Sequence, residues 1–228
     1  MFKNFVNILA APKDAFTDIR EKPTVLLPLL LIILSLASMQ WGYYNAVDRD
    51  FLIDELVEQT QAFANVPEDQ IRENMENNFT PSRLAIQSAV AIAVMMPLIM
   101  MLYAGYLSLI SKFTYDEIHF KQWFSLSAWT GLPSLFIALA GWVVILTNSD
   151  GMIGLRDIQP LSLNSVIFQT EGPFATMLSN VTLIQFWSLA LSALGYQHWT
   201  GKSLTKSTTI VIVPYVVVYA AWSIIILT

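Results

Sequence analysis

The chain has 228 residues, of which 55% are hydrophobic and only 13% are charged, where an ordinary soluble domain carries roughly 25% charged residues. The net charge of −5 argues against nucleic acid as a partner, because nucleic-acid binding depends on basic side chains at phosphates. The lack of cysteine excludes a disulfide framework and thiolate chemistry. We predict a single membrane domain over residues 1–228 without a separate soluble domain.

Residues 1–22 are predicted to form an interfacial amphipathic helix at the membrane surface. Apolar residues recur at helical spacing until Pro12 breaks the run, and a second short helix is expected to start there. Its basic side chains would contact anionic headgroups, either as a plain anchor or as a lipid sensor. The candidate lipid-interface residues are Phe5, Leu9, Lys13, Phe16, Arg20 and Lys22.

Five apolar stretches are long enough to cross the hydrocarbon layer, which takes about 20 residues. None of them contains Asp, Glu, Lys, Arg or His. The predicted fold class is therefore an all-α polytopic membrane protein with an interfacial N-terminal helix and an extracytoplasmic helical hairpin. The five predicted transmembrane helices cover residues 24–43, 84–111, 123–147, 176–196 and 207–228.

The lysines predict the orientation of the chain. All seven lie in segments 1–22, 112–121 and 198–206, whereas segments 44–83 and 148–175 hold twelve of the seventeen acidic residues. Positive charge near a span marks the cytoplasmic side. We therefore expect a cytoplasmic N-terminus and, after an odd number of spans, a periplasmic C-terminus.

The acidic segment 44–83 is predicted to be a helical hairpin, with Pro67 starting its second helix. Its apolar face either caps the membrane bundle or docks an extracytoplasmic partner. The segment has no glycine and its carboxylates follow helical spacing, so a solvated face is expected rather than a calcium loop. The candidate docking residues are Leu52, Leu56, Ile71 and Met75.

Two features of the spans bear on packing and transport. A stripe of small residues in the second span favours helix association, either within the bundle or with the span of a partner; it consists of Ala85, Ala89 and Ala93. Proline occurs in four of the five spans, as Pro28, Pro97, Pro133 and Pro214. Broken helices can form transport sites, although freed carbonyls satisfied by neighbouring helices are commoner.

Catalysis is not predicted. The two histidines, His119 and His198, have no companion ligand at metal-binding spacing. The run from Thr200 to Ser203 resembles the end of a phosphate-binding loop, but it lacks the upstream glycine and a preceding strand. We expect no enzyme activity, no cofactor and no metal.

Several short motifs lie in order along nearly the whole chain. They are Pro12-Lys13 with Phe16, Ile19 and Pro23, then Phe120-Lys121-Gln122-Trp123-Phe124-Ser125-Leu126 with Trp129 and Pro133, then Leu161-Ser162-Leu163-Asn164, Trp187 with Gly195, and Thr200-Gly201-Lys202-Ser203. Their order resembles the Yip family of five-span membrane proteins, whose eukaryotic members bind Rab-type GTPases. Only 22 residues precede the first span here, so the resemblance is to the short bacterial type, for which no Rab-type partner is expected.

The resemblance implies a location in the bacterial inner membrane, and some bacterial relatives accompany ABC-type export machinery with periplasmic adaptors. The predicted function is a non-catalytic accessory or scaffold subunit of a larger membrane assembly, such as an envelope export or ABC-type transport complex. Its expected partners are membrane lipids and either other membrane-protein subunits or an extracytoplasmic adaptor. A permease component that handles lipid or solute through its proline-containing spans and a self-associating membrane-shaping protein are the alternatives.

Overall fold

The computed structural model describes residues 2–61, 66–78 and 80–227. Over these residues the fold is helical, as predicted, and the only extended pairing is an isolated bridge between Ser162 and Thr182. The eleven α-helices in the described ranges are α1 (Phe2–Ala10), α2 (Pro12–Glu21), α3 (Leu26–Ala46), α4 (Arg49–Gln61), α5 (Glu68–Asn78), α6 (Pro81–Phe113), α7 (Phe120–Thr130), α8 (Leu135–Thr147), α9 (Pro173–Ser179), α10 (Leu183–Thr200) and α11 (Leu204–Leu227).

Four helical stretches of the described chain are long and apolar enough to cross a membrane: α3, α6, α11 and the α7–α8 run Phe120–Thr147. The chain is therefore a multi-pass membrane protein. The α7–α8 run contains a short 3-10 turn at Leu132–Ser134. Pro133 explains this break, because proline has no N–H to donate and its fixed φ suits the start of a helix.

The fourth predicted span, 176–196, is not confirmed as a continuous helix. The structure ends α9 at Ser179 and starts α10 only at Leu183. Between them the backbone pairs elsewhere: Leu163 donates its N–H to the Val181 carbonyl at 2.7 Å. The remaining helix α10 has 18 residues and ends in polar side chains, so the count of five spans stays a prediction.

The chain divides into two compact units. Unit 1 comprises Met1–Leu34, Ala93–Leu135 and Leu183–Thr228, and unit 2 comprises Ser35–Ile92 and Phe136–Thr182. In unit 1, α2 packs against α7 and α10, and α10 packs against α11. A buried hydrogen bond of 2.8 Å from the Ser192 hydroxyl to the Thr130 hydroxyl joins α10 to α7, the kind of polar contact that fixes neighbouring helices in a membrane.

The described residues of unit 2 form two apolar clusters. The larger one joins α3, α4 and α8 with the loop after α8, through Met39, Tyr43, Val47, Leu52, Ala138, Ile145, Ile153 and Ile158. The smaller one lies inside the α4–α5 pair, through Ile53, Val57, Ile71 and Met75. Glycines allow α3 and α8 to approach closely, since Gly42 lies against the ring of Trp142 and Gly141 lies against the side chain of Met39.

Candidate functional site

Helix α2 is docked into unit 1 by buried and hydrogen-bonded side chains. Phe16 and Ile19 are fully buried. The Trp199 indole donates to the Phe16 carbonyl at 2.8 Å, and the Arg20 guanidinium donates to the Trp199 carbonyl at 2.9 Å. The Gln122 amide donates to the Arg20 carbonyl at 3.0 Å. Helix α2 is therefore held by α7 and α10 through its apolar face.

This placement changes the interpretation of the predicted lipid-interface residues. Phe16 lies in the protein interior and Arg20 is occupied by the Trp199 carbonyl. Phe5 and Leu9 on α1 are half-buried, and Lys13 and Lys22 are exposed. Contact with lipid stays a prediction. The residues available for it are Phe5 and Leu9 on α1 together with Lys13 and Lys22, whereas Phe16 faces the protein interior.

An aromatic cluster lies behind α2. The rings of Trp123 and Tyr196 stack at 5.1 Å between centroids, and Trp199 lies 5.3 Å from Trp123. The Trp123 indole donates to the Ser111 hydroxyl at 3.0 Å. Gly195 permits this packing, because a Cβ there would lie 2.6 Å from Leu126 Cδ1. The cluster joins α6, α7 and α10 without leaving the indole donors unpaired.

A shielded ion pair lies beside the aromatic cluster. Lys202 binds the Asp116 carboxylate, and the two side chains are only 14% and 13% exposed. The Thr114 hydroxyl donates to the same carboxylate oxygen, and the Lys202 ammonium lies 5.7 Å from the centroid of the Tyr196 ring, within the range of a cation–π contact. Lys202 is thus occupied by a carboxylate, and the turn that resembles a phosphate loop acts as a structural connection.

The glycine of that turn, Gly201, has a structural role. It adopts φ +68°, the left-handed conformation that commonly ends a helix. Its N–H donates to the Gln197 carbonyl at 2.9 Å. The glycine therefore terminates α10, and the chain turns into α11.

The backbone carbonyl that Pro214 leaves unpaired in α11 accepts a hydrogen bond from a neighbouring helix. Pro214 lacks the N–H that would pair with the Ile210 carbonyl four residues earlier. The Tyr106 hydroxyl on α6 donates to that carbonyl at 2.9 Å, and the Tyr103 hydroxyl donates to the Val211 carbonyl at 3.3 Å. We call these two contacts the tyrosine clamp. At this proline, the freed carbonyl is occupied by protein.

The predicted docking residues of the hairpin lie in the two apolar clusters of unit 2. Leu52, Ile71 and Met75 are 3%, 6% and 9% exposed, respectively, and Leu56 is half-buried. Because these side chains fill the clusters of unit 2, they hold α4 and α5 in place. Of the stripe on α6, Ala85 is buried, Ala89 is half-buried and Ala93 is exposed.

Carboxylates cover the outside of the hairpin. The Asp50, Asp54 and Glu68 side chains are 89%, 62% and 55% exposed. Arg72 binds Asp54 at 2.7 Å, and this hydrogen bond raises the pKa of the guanidinium above its usual value. The Glu55 carboxylate accepts the Leu155 N–H, with both oxygens at 3.0 Å, which ties α4 to the loop after α8.

A comparison with models of protein families matches the Yip1 domain over residues 6–225. The chain belongs to the Yip family. Neither the curated proteins nor the solved structures contain a match to it. Yip proteins are non-enzymatic membrane proteins. The match to the Yip domain spans the docked helix α2, both apolar clusters of unit 2 and most of α11.

The site residues that sequence reasoning missed in this Yip protein are those of the tyrosine clamp and the Asp116–Lys202 pair. Asp116 is an acidic residue in a segment that was expected to be basic, and this charge could have indicated an ion pair with a nearby lysine. The tyrosines carried no such signal, since about a hundred residues separate them from Pro214. No group of three or more His, Asp or Glu side chains that could hold a metal occurs in the described residues.

Proposed function

We propose that this Yip protein is a non-catalytic accessory or scaffold subunit of a larger membrane assembly, such as an envelope export or ABC-type transport complex of the bacterial inner membrane. The observation that carries the proposal is the α4–α5 hairpin. Its apolar side chains are turned inward, and Glu55 ties it to the loop after α8. Exposed carboxylates are thereby held on a supported element, as a docking surface for a partner requires.

The charge of the hairpin favours a partner with a basic docking surface. Segment 44–83 holds nine acidic residues and three arginines, and one of these arginines, Arg72, is already paired with Asp54. Complementary charge raises the rate and the specificity of association. The lysine distribution supports an extracytoplasmic hairpin, where an adaptor of an export complex would meet it.

The two alternatives receive less support from the contacts in unit 1. A permease using broken helices needs freed carbonyls for its substrate, and the Tyr106 hydroxyl occupies the Ile210 carbonyl at 2.9 Å. A membrane-shaping helix needs a free apolar face; Phe16 and Ile19 of α2 are fully buried, which leaves α1 to supply such a face. At Pro214 and at α2, these contacts favour the scaffold over the alternatives.

A site-specific photocrosslink in native membranes tests the proposal. The photoreactive residue replaces Glu73, an exposed position on α5, in the full-length protein at native abundance. We expect crosslinking to one particular membrane or extracytoplasmic protein, and Glu58→Lys on the neighbouring helix should abolish it. The matched control replaces Tyr115, which is 93% exposed in the loop after α6. No protein product from Glu73, or the same products from both positions, would refute the proposal.

A further inference from the structure

A groove between α2 and α10 in unit 1 is not accounted for by the contacts described above. It has a volume of about 270 Å³ and is lined by Pro12, Lys13, Phe16, Leu194, Gln197 and His198. Phe16 forms its floor, because the ring is fully buried and lies 6.2 Å from the His198 ring. The walls therefore combine apolar side chains with nitrogen-bearing ones.

The polar side chains of the groove suit a phosphate. Lys13 lies in the first turn of α2, and Gln197 and His198 lie in the last turn of α10. Lys13 supplies positive charge, and the amide of Gln197 supplies a donor. The His198 ring is held by a 3.0 Å hydrogen bond between its Nε2 atom and the Thr17 hydroxyl. The described residues that line the groove include no carboxylate, so an anion meets no repulsion from the walls.

An apolar stripe continues from the groove along α10. Counting back from His198, the positions Leu194, Ala190, Trp187 and Leu183 follow at spacings of four, four, three and four residues, which places them on one face of the helix. Leu183 and Trp187 are 41% and 37% exposed. From His198 back to Leu183 the helix face extends about 22 Å over fifteen residue steps, a length suited to an extended acyl chain.

We propose that this groove binds an anionic phospholipid, with the phosphate held by Lys13, Gln197 and His198 and one acyl chain lying along the stripe. A hydrogen-bonded phosphate above an apolar track is the chemistry that a phospholipid presents at the headgroup level. The proposal does not depend on the scaffold role, because the groove lies in unit 1 and the hairpin lies in unit 2. The site would hold a lipid beside α10, the helix that carries Tyr196 and Trp199 of the aromatic cluster.

Native mass spectrometry of the full-length protein in a mild neutral detergent tests this site. Phosphatidylglycerol is the probe, and phosphatidylcholine and inorganic phosphate are the comparison ligands. We expect K13Q to weaken phosphatidylglycerol binding about tenfold, which corresponds to about 1.4 kcal/mol. The matched control is K121Q, which removes the same charge from an exposed position on α7 and should leave binding unchanged.

A second pair of variants separates the acyl chain from the headgroup. L194W fills the groove without changing any charge and should also weaken phosphatidylglycerol binding, whereas L109W on an exposed position of α6 should not. Equal binding by K13Q and K121Q would overturn the proposal. Equal retention of phosphatidylcholine would overturn the anionic class, and inorganic phosphate bound as tightly as the lipid would overturn the acyl-chain contact.

Discussion

Single side chains in unit 1 satisfy backbone groups that a lone helix leaves unpaired. Pro214 leaves the Ile210 carbonyl without a partner in α11, and the Tyr106 hydroxyl donates to it from α6 at 2.9 Å. In lipid no water is present to solvate such a carbonyl. The tyrosine clamp therefore makes α11 dependent on α6.

We predict that Tyr106→Phe lowers the free energy of unfolding by about 1 kcal/mol, the size found for buried hydrogen bonds between membrane helices. In a Pro214→Ala background the same change should cost little, because alanine restores the missing N–H. Unfolding in mixed detergent micelles measures both values. Tyr115→Phe, at an exposed position, is the control. An equal cost in the two backgrounds would contradict the clamp.

Gly195 and Gly105 form a matched pair for testing close packing. A Cβ at Gly195 would lie 2.6 Å from Leu126 Cδ1 and 3.1 Å from Phe16 Cε1, whereas a Cβ at Gly105 meets nothing within 4 Å. We expect Gly195→Ala to lower the free energy of unfolding by about 1–3 kcal/mol through overpacking. Gly105→Ala should be neutral or slightly stabilising. Equal effects in the same unfolding experiment would show that α2 does not depend on this contact.

The length of apolar runs and the helical spacing of apolar residues predicted where helices form better than they predicted what covers each helix. The span predicted at 24–43 is helix α3, Leu26–Ala46, and the span predicted at 207–228 is α11, Leu204–Leu227. For α2 the spacing of apolar residues placed Phe16 on an apolar face. Such a face can be buried by lipid or by protein, and the spacing does not distinguish the two. Only the positions of Trp199 and Leu126 show that protein covers it.

The apolar pattern of the sequence also did not predict the break in the helix before α10. Segment 176–196 is apolar enough to predict one span, but its helix is interrupted where Thr182 pairs with Ser162. The pairing partner lies twenty residues away in a loop, and apolar periodicity carries no information on such a contact. The same limit applies to Asp116 and Lys202, whose pairing brings together two separate loops.

The hairpin is predicted to unfold separately from the spans. Ile71→Asn places an amide among Ile53, Val57 and Met75, where it would lack hydrogen-bond partners and destabilise the cluster by about 1–3 kcal/mol. Hydrogen exchange should then accelerate in α4 and α5 and stay unchanged in α6 and α11. Glu73→Gln, at an exposed position on the same helix, should change neither. Faster exchange throughout the protein would show instead that the hairpin is an integral part of the bundle.

At the scale of the whole molecule, helix α10 decides the topology. Its 18 residues rise about 27 Å, close to the roughly 30 Å of hydrocarbon that a span must cross. If α10 crosses the membrane, the lysine-rich segments all lie on one side. If it does not, Glu171 and Lys206 lie on the same side.

The absence of native cysteine makes this topology directly measurable with single-cysteine variants. We predict that cysteines replacing Asp69 and Glu171 react with a membrane-impermeant maleimide in spheroplasts. Cysteines replacing Lys121 and Lys206 should react only after the membrane is permeabilised. All four positions are exposed, so differences in labelling report sidedness. Labelling of Glu171 and Lys206 from the same side would exclude the fifth span.

Membership in a larger membrane assembly is the main proposal for this Yip protein. Its most direct test is to extract the protein from native membranes at native abundance in a mild detergent and to determine the mass and composition of the isolated complex. We expect a stoichiometric partner, such as a transporter subunit or an extracytoplasmic adaptor. Recovery of the chain alone, or only as a homo-oligomer with bound lipid, would contradict it.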